Sequence, residues 1–150
     1  MAEEQVVVFH LGNEEYCVPI HQVREIIQYQ GATKLPGTPI HVEGIINLRG
    51  RVIPVIDLAV QLSLAAKSGQ RQALIVDLGE NNFGIIVDQV SEVLRLADSQ
   101  LEAAPVQTAG ERTYIRGVAK TEDRILIMLE LASLVEPAYL KNVPAGGAVT

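Results

Sequence analysis

The residue of this sequence that is best placed to do chemistry is Asp57, which directly follows the apolar run 52–56. A carboxylate at the end of a buried strand can act as a phosphate acceptor. Alternatively, Asp57 caps a short helix over residues 58–64, because its carboxylate can accept hydrogen bonds from the free amides of the first turn. An internal repeat of the sequence places Glu130 at the matching position. Capping explains both acids and phosphorylation explains only one, so the sequence favours the cap.

The remaining candidates for chemistry are scattered. His10, His21 and His41 have no metal-ligand spacing, either with one another or with Cys17. The glycines are dispersed through predicted turns, and neither a GxGxxG nor a P-loop pattern is present. We therefore expect no catalytic residues, no metal and no cofactor. Cys17 lies within a strand pattern, and we interpret it as a small buried apolar residue.

Two copies of one pattern run through the chain. Residues 5–27 align with residues 72–94 at a constant offset of 67, and residues 44–58 align with residues 117–131 at an offset of 73. The apolar positions keep step in both stretches. The repeat therefore indicates a duplicated scaffold in which each copy keeps the positions that a core needs.

One turn breaks the match between the copies. Asn-Leu-Arg-Gly at residues 47–50 aligns with Lys-Thr-Glu-Asp at residues 120–123. The tip of the turn is therefore cationic in the first copy and anionic in the second. An exposed turn can diverge where a core cannot, and residues 47–50 are therefore the first place to expect function. The plainer alternative is that Gly50 supplies a positive φ for a hairpin and Arg49 is merely solvated.

Short strand patterns fill both halves of the chain. The first half has them at residues 6–11, 16–20, 25–29, 43–48 and 51–56. The second half has them at residues 73–78, 82–87, 92–96, 114–120 and 124–129. A parallel sheet would require crossover helices of about a dozen residues, and only short helix patterns are present. The sequence therefore predicts an all-β fold of two tandem five-stranded barrels that share an apolar core.

The same patterns suggest how the chain is divided. We assign it to a first subdomain, a link, a second subdomain and a C-terminal tail, at about residues 5–64, 65–69, 70–135 and 136–150. Glycine and proline are frequent at residues 143–150, and we expect this end of the tail to be disordered.

Composition limits the partners that the protein can bind. The formal net charge is −6, the 12 basic residues are spread along the chain, and no tryptophan is present. These features oppose binding to nucleic acid or to anionic lipid. No apolar run reaches the 18 or more residues of a membrane span, and the acidic amino terminus lacks an export signal. We therefore expect a cytoplasmic protein that binds other proteins, with no nucleic acid and no direct membrane contact.

Residues 43–58, which read EGIINLRGRVIPVIDL, resemble the signature stretch of the CheW family, the coupling proteins of bacterial chemotaxis. LGNEEY at residues 11–16, VREI at 23–26 and GIIVDQV at 84–90 extend the resemblance over about residues 5–135. The resemblance implies two SH3-like barrels around a shared core. It also implies a non-catalytic adaptor that couples the cytoplasmic tips of chemoreceptors, the methyl-accepting chemotaxis proteins, to the regulatory domain of the histidine kinase CheA.

The resemblance also implies where the receptor binds. An apolar groove between the subdomains would receive the receptor's helical hairpin, flanked by one acidic residue and the neighbouring turn. The apolar set is Ile20, Val23, Ile26 and Val90, and the flank is Glu25 with the turn residues Asn47, Leu48 and Arg49. We hypothesise that Glu25 and Arg49 form an ion pair that brackets the groove. The alternative is that the four apolar residues are ordinary core.

The kinase contact implied by the resemblance maps to the first half, at Lys34, Leu35, Pro36, Val42 and Gly44. Other functions stay open at this point. The chain could be a regulatory CheW-like module of another kinase-controlled two-component pathway, including one that acts in cis with an enzyme, or a small enzyme of unrecognised type. Its start at Met1 and its lack of a linker to an enzymatic domain favour a free-standing adaptor.

Overall fold

The computed structural model describes residues 3–64, 69–79, 82–103 and 114–134. Most of the predicted link and the whole predicted tail lie outside the described residues, as do residues 104–113.

The first half of the chain forms five strands, as predicted. They are β1 (Glu3–Leu11), β2 (Glu14–Pro19), β3 (Val23–Tyr29), β4 (Val42–Leu48) and β5 (Arg51–Asp57). A 3₁₀ turn, Ile20–Gln22, precedes β3, and helix α1 (Leu58–Gln61) follows β5. The helix is shorter than the predicted 58–64, because Ser63 adopts a left-handed φ of 60° that a helix cannot continue through.

The second half repeats this order with one addition. Its strands are β6 (Arg71–Asp77), β7 (Asn82–Val87), β8 (Gln89–Ala97), β9 (Leu101–Glu102), β10 (Ile115–Thr121) and β11 (Arg124–Leu129). Two 3₁₀ turns, Asp98–Gln100 and Leu131–Ser133, complete it. β9 was not predicted, since two residues are too few for a pattern. Its counterpart in the first half is the single bridge between Thr33 and Ile45.

The strands form two sheets, and each sheet takes strands from both halves. The five-stranded sheet has the order β3-β6-β7-β5-β4, and the six-stranded sheet has the order β8-β1-β2-β11-β10-β9. We call them the five-stranded barrel and the six-stranded barrel. The predicted all-β fold with two units is confirmed. The prediction that each unit is a contiguous half, 5–64 or 70–135, needs correction, because the halves exchange their first hairpins.

The exchange preserves the symmetry of the repeat. β5 pairs in parallel with β7 through Val55 and Gly84, and β11 pairs in parallel with β2 through Met128 and Cys17. The offsets of 73 and 67 relate these two pairs residue by residue. The five-stranded barrel thus joins the first hairpin of the second copy to three strands of the first copy, and the six-stranded barrel joins the first hairpin of the first copy to four strands of the second.

The apolar residues divide into a shared core and barrel interiors. The shared core lies between the sheets and includes Phe9, Leu74, Ile85 and Leu129, each no more than 1% exposed. The interior of the six-stranded barrel includes Cys17, Leu126 and Met128. Burying one such side chain contributes about 1.5–3 kcal/mol. The interpretation of Cys17 as a buried apolar residue is confirmed, and burial raises the pKa of its thiol to about 12.

Asp57 caps helix α1, as the sequence favoured. Its Oδ1 accepts hydrogen bonds from the amides of Ala59 and Val60, and its Oδ2 accepts one from Arg71 at 3.0 Å. The residue is only 6% exposed, which is poor access for a phosphate donor. The matching cap was wrong: Glu130 occupies the N-cap position, but its side chain makes no capping hydrogen bond with the described residues.

Candidate functional site

The two edge strands of the five-stranded barrel, β3 and β4, are joined by side chains at both ends. At one end, Arg49 in the β4–β5 turn binds Glu25 on β3. At the other end, the Tyr29 hydroxyl donates to Glu43 Oε2 at 3.1 Å. Side chains thus join these two edge strands at both ends, although no ladder pairs β3 with β4 in the sheet order.

The predicted pair of Glu25 and Arg49 is present. Arg49 Nη1 donates to Glu25 Oε2 at 2.8 Å and Nη2 donates to Oε1 at 2.6 Å, a bidentate geometry. The side chains are 67% and 26% exposed, so the pair contributes about 0–1 kcal/mol to folding. Its effect is to fix the guanidinium beside β3 rather than to hold the fold.

The turn that carries Arg49 is built from its own residues. Asn47 Oδ1 accepts from the Gly50 amide at 2.9 Å, and Gly50 has a φ of 85°. Arg49 itself takes a left-handed φ of 52°, which is uncommon for a residue with a Cβ. Gly50 therefore does have the conformational role of the plainer reading, but Arg49 is paired rather than merely solvated.

Behind this turn lies an open cleft of about 390 Å³, which we call the five-stranded mouth. Its polar lining includes three arginines and one glutamate, and its floor is apolar. The lining residues are Arg24, Glu25, Leu48, Arg49, Arg51, Ile53, Ile75 and Asn82. The local charge of the mouth is thus positive in a protein whose formal net charge is −6.

Two of the arginines in the mouth have partners other than Glu25. Arg24 pairs with Asp77 at 3.4 Å. With its amide oriented to satisfy both neighbours, Asn82 accepts from Arg51 at 2.8 Å and donates to Asp77 at 3.1 Å. The sequence reasoning did not single out Arg24 or Arg51. The repeat carried a signal for Arg51, because it aligns with Arg124 in the second copy.

The predicted apolar set does not share a face with the ion pair. A bulge in β3 places Val23 opposite Val76 and Ile26 opposite Leu74, both of which belong to the shared core. Glu25 lies opposite Ile75, which lines the mouth. Successive strand residues point to opposite faces. The hypothesis that the ion pair brackets the apolar groove is therefore corrected: the two sets meet on β3 but on its two sides.

Burial distinguishes the members of the apolar set. Ile20, Val23 and Val90 are partly buried and pack against the shared core, as ordinary core-edge residues do. Ile26 is 41% exposed on the edge strand β3. Of the four, Ile26 therefore offers the most surface to a partner.

The residues predicted for the kinase contact also differ in exposure. Lys34 and Pro36 are exposed and Leu35 is half-buried, on the segment between β3 and β4. Val42 is buried in the shared core. Gly44 is buried too, with a φ of 151°, and a Cβ there would collide with the carbonyl oxygen of Thr33. Val42 and Gly44 are thus buried beneath this segment and do not offer surface to a partner.

Two absences hold within the described residues. Within 3–64, 69–79, 82–103 and 114–134, no group of histidine, cysteine and acidic residues could hold a metal ion. In the same ranges, no helix is long and apolar enough to cross a membrane. What the arrangement offers is a cationic mouth, an edge strand with an exposed isoleucine and an exposed loop.

Comparisons with known proteins agree with one another. Residues 5–138 match the model of the CheW-like domain. The chain is 36% identical over 133 residues to the chemotaxis protein CheW of Rhizobium meliloti, covering 87% of this chain and 86% of that one. It is 36% identical over 148 residues to the chemotaxis protein CheW of Klebsiella aerogenes, covering 93% and 88%.

A solved structure is similar along most of its length. It is the scaffolding protein TtCheW of Thermoanaerobacter tengcongensis, which superposes with a TM-score of 0.83 at 36% sequence identity. The match covers 90% of this chain and 94% of that one. The fold, the signature stretch and these relatives lead to one conclusion: the chain belongs to the CheW family.

Proposed function

We propose that this protein is a non-catalytic adaptor of bacterial chemotaxis that acts in the cytoplasm and couples chemoreceptor tips to the regulatory domain of the histidine kinase CheA. The observation that carries the proposal is the match to the CheW-like domain over residues 5–138. The name of TtCheW as a scaffolding protein points the same way. The names of the relatives favour chemotaxis over a module of another kinase-controlled pathway.

The proposed receptor contact centres on the edge strand β3. Ile26 supplies an exposed apolar side chain, and Val23 packs behind it against the shared core. The Glu25–Arg49 pair lies on the other side of the same strand and presents a fixed guanidinium. A helical hairpin laid along β3 would bury Ile26 and meet Arg49 at its flank. Asn47 and Leu48 then contribute through the turn and the cleft wall.

The proposed kinase contact is the segment between β3 and β4. Its exposed members are Lys34 and Pro36. They follow Tyr29, the last residue of β3, so they lie at the end of the barrel away from the Arg49 turn. Receptor and kinase would therefore bind at different ends of one barrel. That arrangement lets both partners bind at the same time.

Co-sedimentation tests the proposal. Receptor tips, CheA and this protein are mixed in pairs and all together, and kinase activity is measured in each pellet. An adaptor raises kinase activity only in the three-component mixture. Ile26→Asp should abolish sedimentation with receptor tips, because it buries a charge in an apolar contact. Ile125→Asp is the matched control, since Ile125 is 63% exposed on the other barrel. Equal activity with and without this protein would refute the adaptor role.

A further inference from the structure

A cluster of four side chains lies where the segment 30–41 leaves β3 and rejoins β4. It consists of Tyr29, Glu43, Asp57 and Arg71, and we call it the clamp. Arg71 is at its centre: Nη1 donates to Asp57 Oδ2 at 3.0 Å, and its guanidinium carbon lies 5.4 Å from the centroid of the Tyr29 ring. A cation over an aromatic face at this distance is attracted to it.

The clamp is largely shielded from solvent. The side chains of Arg71 and Asp57 are 22% and 8% exposed. Tyr29 completes the chain of contacts by donating its hydroxyl to Glu43. Burial, together with the nearby Glu43 carboxylate, raises the pKa of Tyr29 to about 12, so its hydroxyl remains a donor at neutral pH.

The clamp connects to both ends of segment 30–41. Tyr29 is the last residue of β3 before the segment begins. Asp57 donates its backbone amide to the carbonyl of His41, the last residue of the segment, at 2.8 Å. In between, Thr33 and Ile45 exchange two backbone hydrogen bonds of 2.8 Å. Arg71, which comes from the second copy of the repeat, therefore joins the start of the segment to its end.

The six-stranded barrel shows that a barrel of this kind forms without such a clamp. In the repeat, Glu4 corresponds to Arg71 and Leu96 corresponds to Tyr29. Glu4 pairs with Leu96 across two strands, just as Arg71 pairs with Tyr29. Among the described residues, these positions hold an ion pair of Glu4 with Arg116 at 3.3 Å and a buried leucine. The aromatic ring, the buried carboxylate and the cation between them belong to the five-stranded barrel. The clamp is therefore specific to the five-stranded barrel and is not part of the repeated pattern.

The segment held by the clamp carries a conspicuous apolar side chain. Ile40 is 87% exposed. Its neighbours are fixed, because the Val42 amide donates to the Pro39 carbonyl at 3.0 Å and Thr38 Oγ1 donates to the Leu35 carbonyl at 3.0 Å. A loop held in its bound shape loses less conformational freedom on binding, so it binds more tightly than a loose one.

We propose that the clamp pre-shapes segment 30–41 as the docking surface for the kinase regulatory domain, with Arg71 as its positioning residue and Ile40 as its apolar contact. This inference rests on the proposed function and adds two residues to it. Arg71 acts without touching the partner, through Tyr29 and Asp57, whereas Ile40 touches the partner directly.

Matched variants of the full-length protein test the inference. Arg71→Met removes the cation from the clamp, and Arg116→Met removes the matching ion pair from the other barrel. We expect Arg71→Met to weaken binding of the CheA regulatory domain about tenfold and to speed hydrogen exchange at Thr33 and Ile45, with receptor binding unchanged. Arg116→Met should change neither. Arg71→Lys, which keeps a cation on the Tyr29 ring, should restore part of the affinity.

Two further variants keep the test decisive if Arg71→Met folds poorly. Tyr29→Phe keeps the ring but deletes the bond to Glu43, and should weaken kinase binding less than Arg71→Met does. Ile40→Asp should abolish kinase binding and leave hydrogen exchange in the segment unchanged, with Ile125→Asp as its control. The clamp is refuted if folded Arg71→Met binds the kinase as the wild type does and its exchange is unchanged. Where Arg71→Met does not fold, the clamp is refuted if Tyr29→Phe leaves both kinase binding and exchange at their wild-type values. If the wild type binds no kinase domain, the proposed function itself fails.

Discussion

The residues of the five-stranded mouth have counterparts in the six-stranded barrel that differ in charge, and we call those counterparts, Glu15, Ser91, Glu92, Glu122 and Arg124, the six-stranded mouth. In the six-stranded barrel, Arg124 Nη2 donates to Glu15 at 2.7 Å and to Glu92 at 2.8 Å. Glu92 matches Glu25 of the five-stranded barrel, and Arg124 matches Arg51. In the five-stranded barrel, however, it is the turn residue Arg49 that binds Glu25. The matching glutamate is thus bound by the strand residue Arg124 in the six-stranded barrel and by the turn residue Arg49 in the five-stranded barrel.

The backbone is not the cause of this difference. Arg49 has a φ of 52°, and Glu122 at the matching position has a φ of 53°. The side chains differ instead, because Glu122 adds a carboxylate where Arg49 adds a guanidinium. Arg24 likewise matches a serine, Ser91. A duplicated barrel can therefore keep its turn geometry and change the charge around the turn through a few side chains.

The largest expected effect comes from two matching glycines, at which both barrels bring two backbone segments close together. A Cβ at Gly44 would collide with the Thr33 carbonyl oxygen, and one at Gly117 would collide with the Glu102 carbonyl oxygen. We expect Gly44→Ala and Gly117→Ala each to lower the free energy of unfolding by about 1–3 kcal/mol, as overpacking does. Urea unfolding measures both. A neutral result at one glycine would show that the barrels do not share this close approach.

The two matching arginines should differ in their contribution to stability. Arg124→Met leaves the carboxylates of Glu15 and Glu92 facing each other without their common donor. We expect it to lower the free energy of unfolding by about 1–2 kcal/mol, because hydrogen bonds to charged groups are lost at a partly buried site. Arg51→Met should cost less than about 0.5 kcal/mol, since its partner Asn82 is neutral. Equal losses in urea unfolding would contradict the contrast between the mouths.

The pair of Glu25 and Arg49 should couple weakly in folding and more strongly in binding. A double-mutant cycle of Glu25→Gln and Arg49→Met is expected to give a coupling of about 0.2–1 kcal/mol in unfolding. The same cycle measured by receptor binding should give a larger coupling, because the pair sets the position of the guanidinium. The exposed pair of Glu102 and Lys120 is the control. Additive effects on receptor binding would remove the pair from the proposed contact.

The smallest expected effect is a pH dependence that arises at Glu15 in the six-stranded barrel. Hydrogen bonds from Arg124 hold the pKa of Glu15 below its ordinary value of 4.5. A carboxylate whose pKa is lower in the folded state stabilises the protein above the unfolded pKa, and this contribution is lost as pH falls through the folded pKa. Glu15→Gln should therefore flatten the loss of stability below about pH 4.5. The matching residue Asn82 does not titrate, so Asn82→Ala should leave that slope as it is.

Part of the site could be read from the sequence, and part could not. The turn at 47–50 stood out because it differs between two otherwise matching copies, and the pair of Arg49 with Glu25 followed from resemblance. The clamp gave no such signal. Arg71 contacts Asp57 and Tyr29, which lie far from it in sequence, and no local periodicity reports a contact between distant strands. The face on which Ile26 lies depended on a bulge at Arg24 that the strand pattern does not encode.

The sequence by itself determined that the chain is all-β, that it contains two copies of one strand order, and that it resembles the CheW family. Alternation of apolar residues and turn chemistry are local properties, so they can be read along the chain. Only the tertiary structure decided that the copies exchange their first hairpins. Two copies with the same strand pattern offer each hairpin two similar partners. The choice between them depends on how the strands pack in three dimensions.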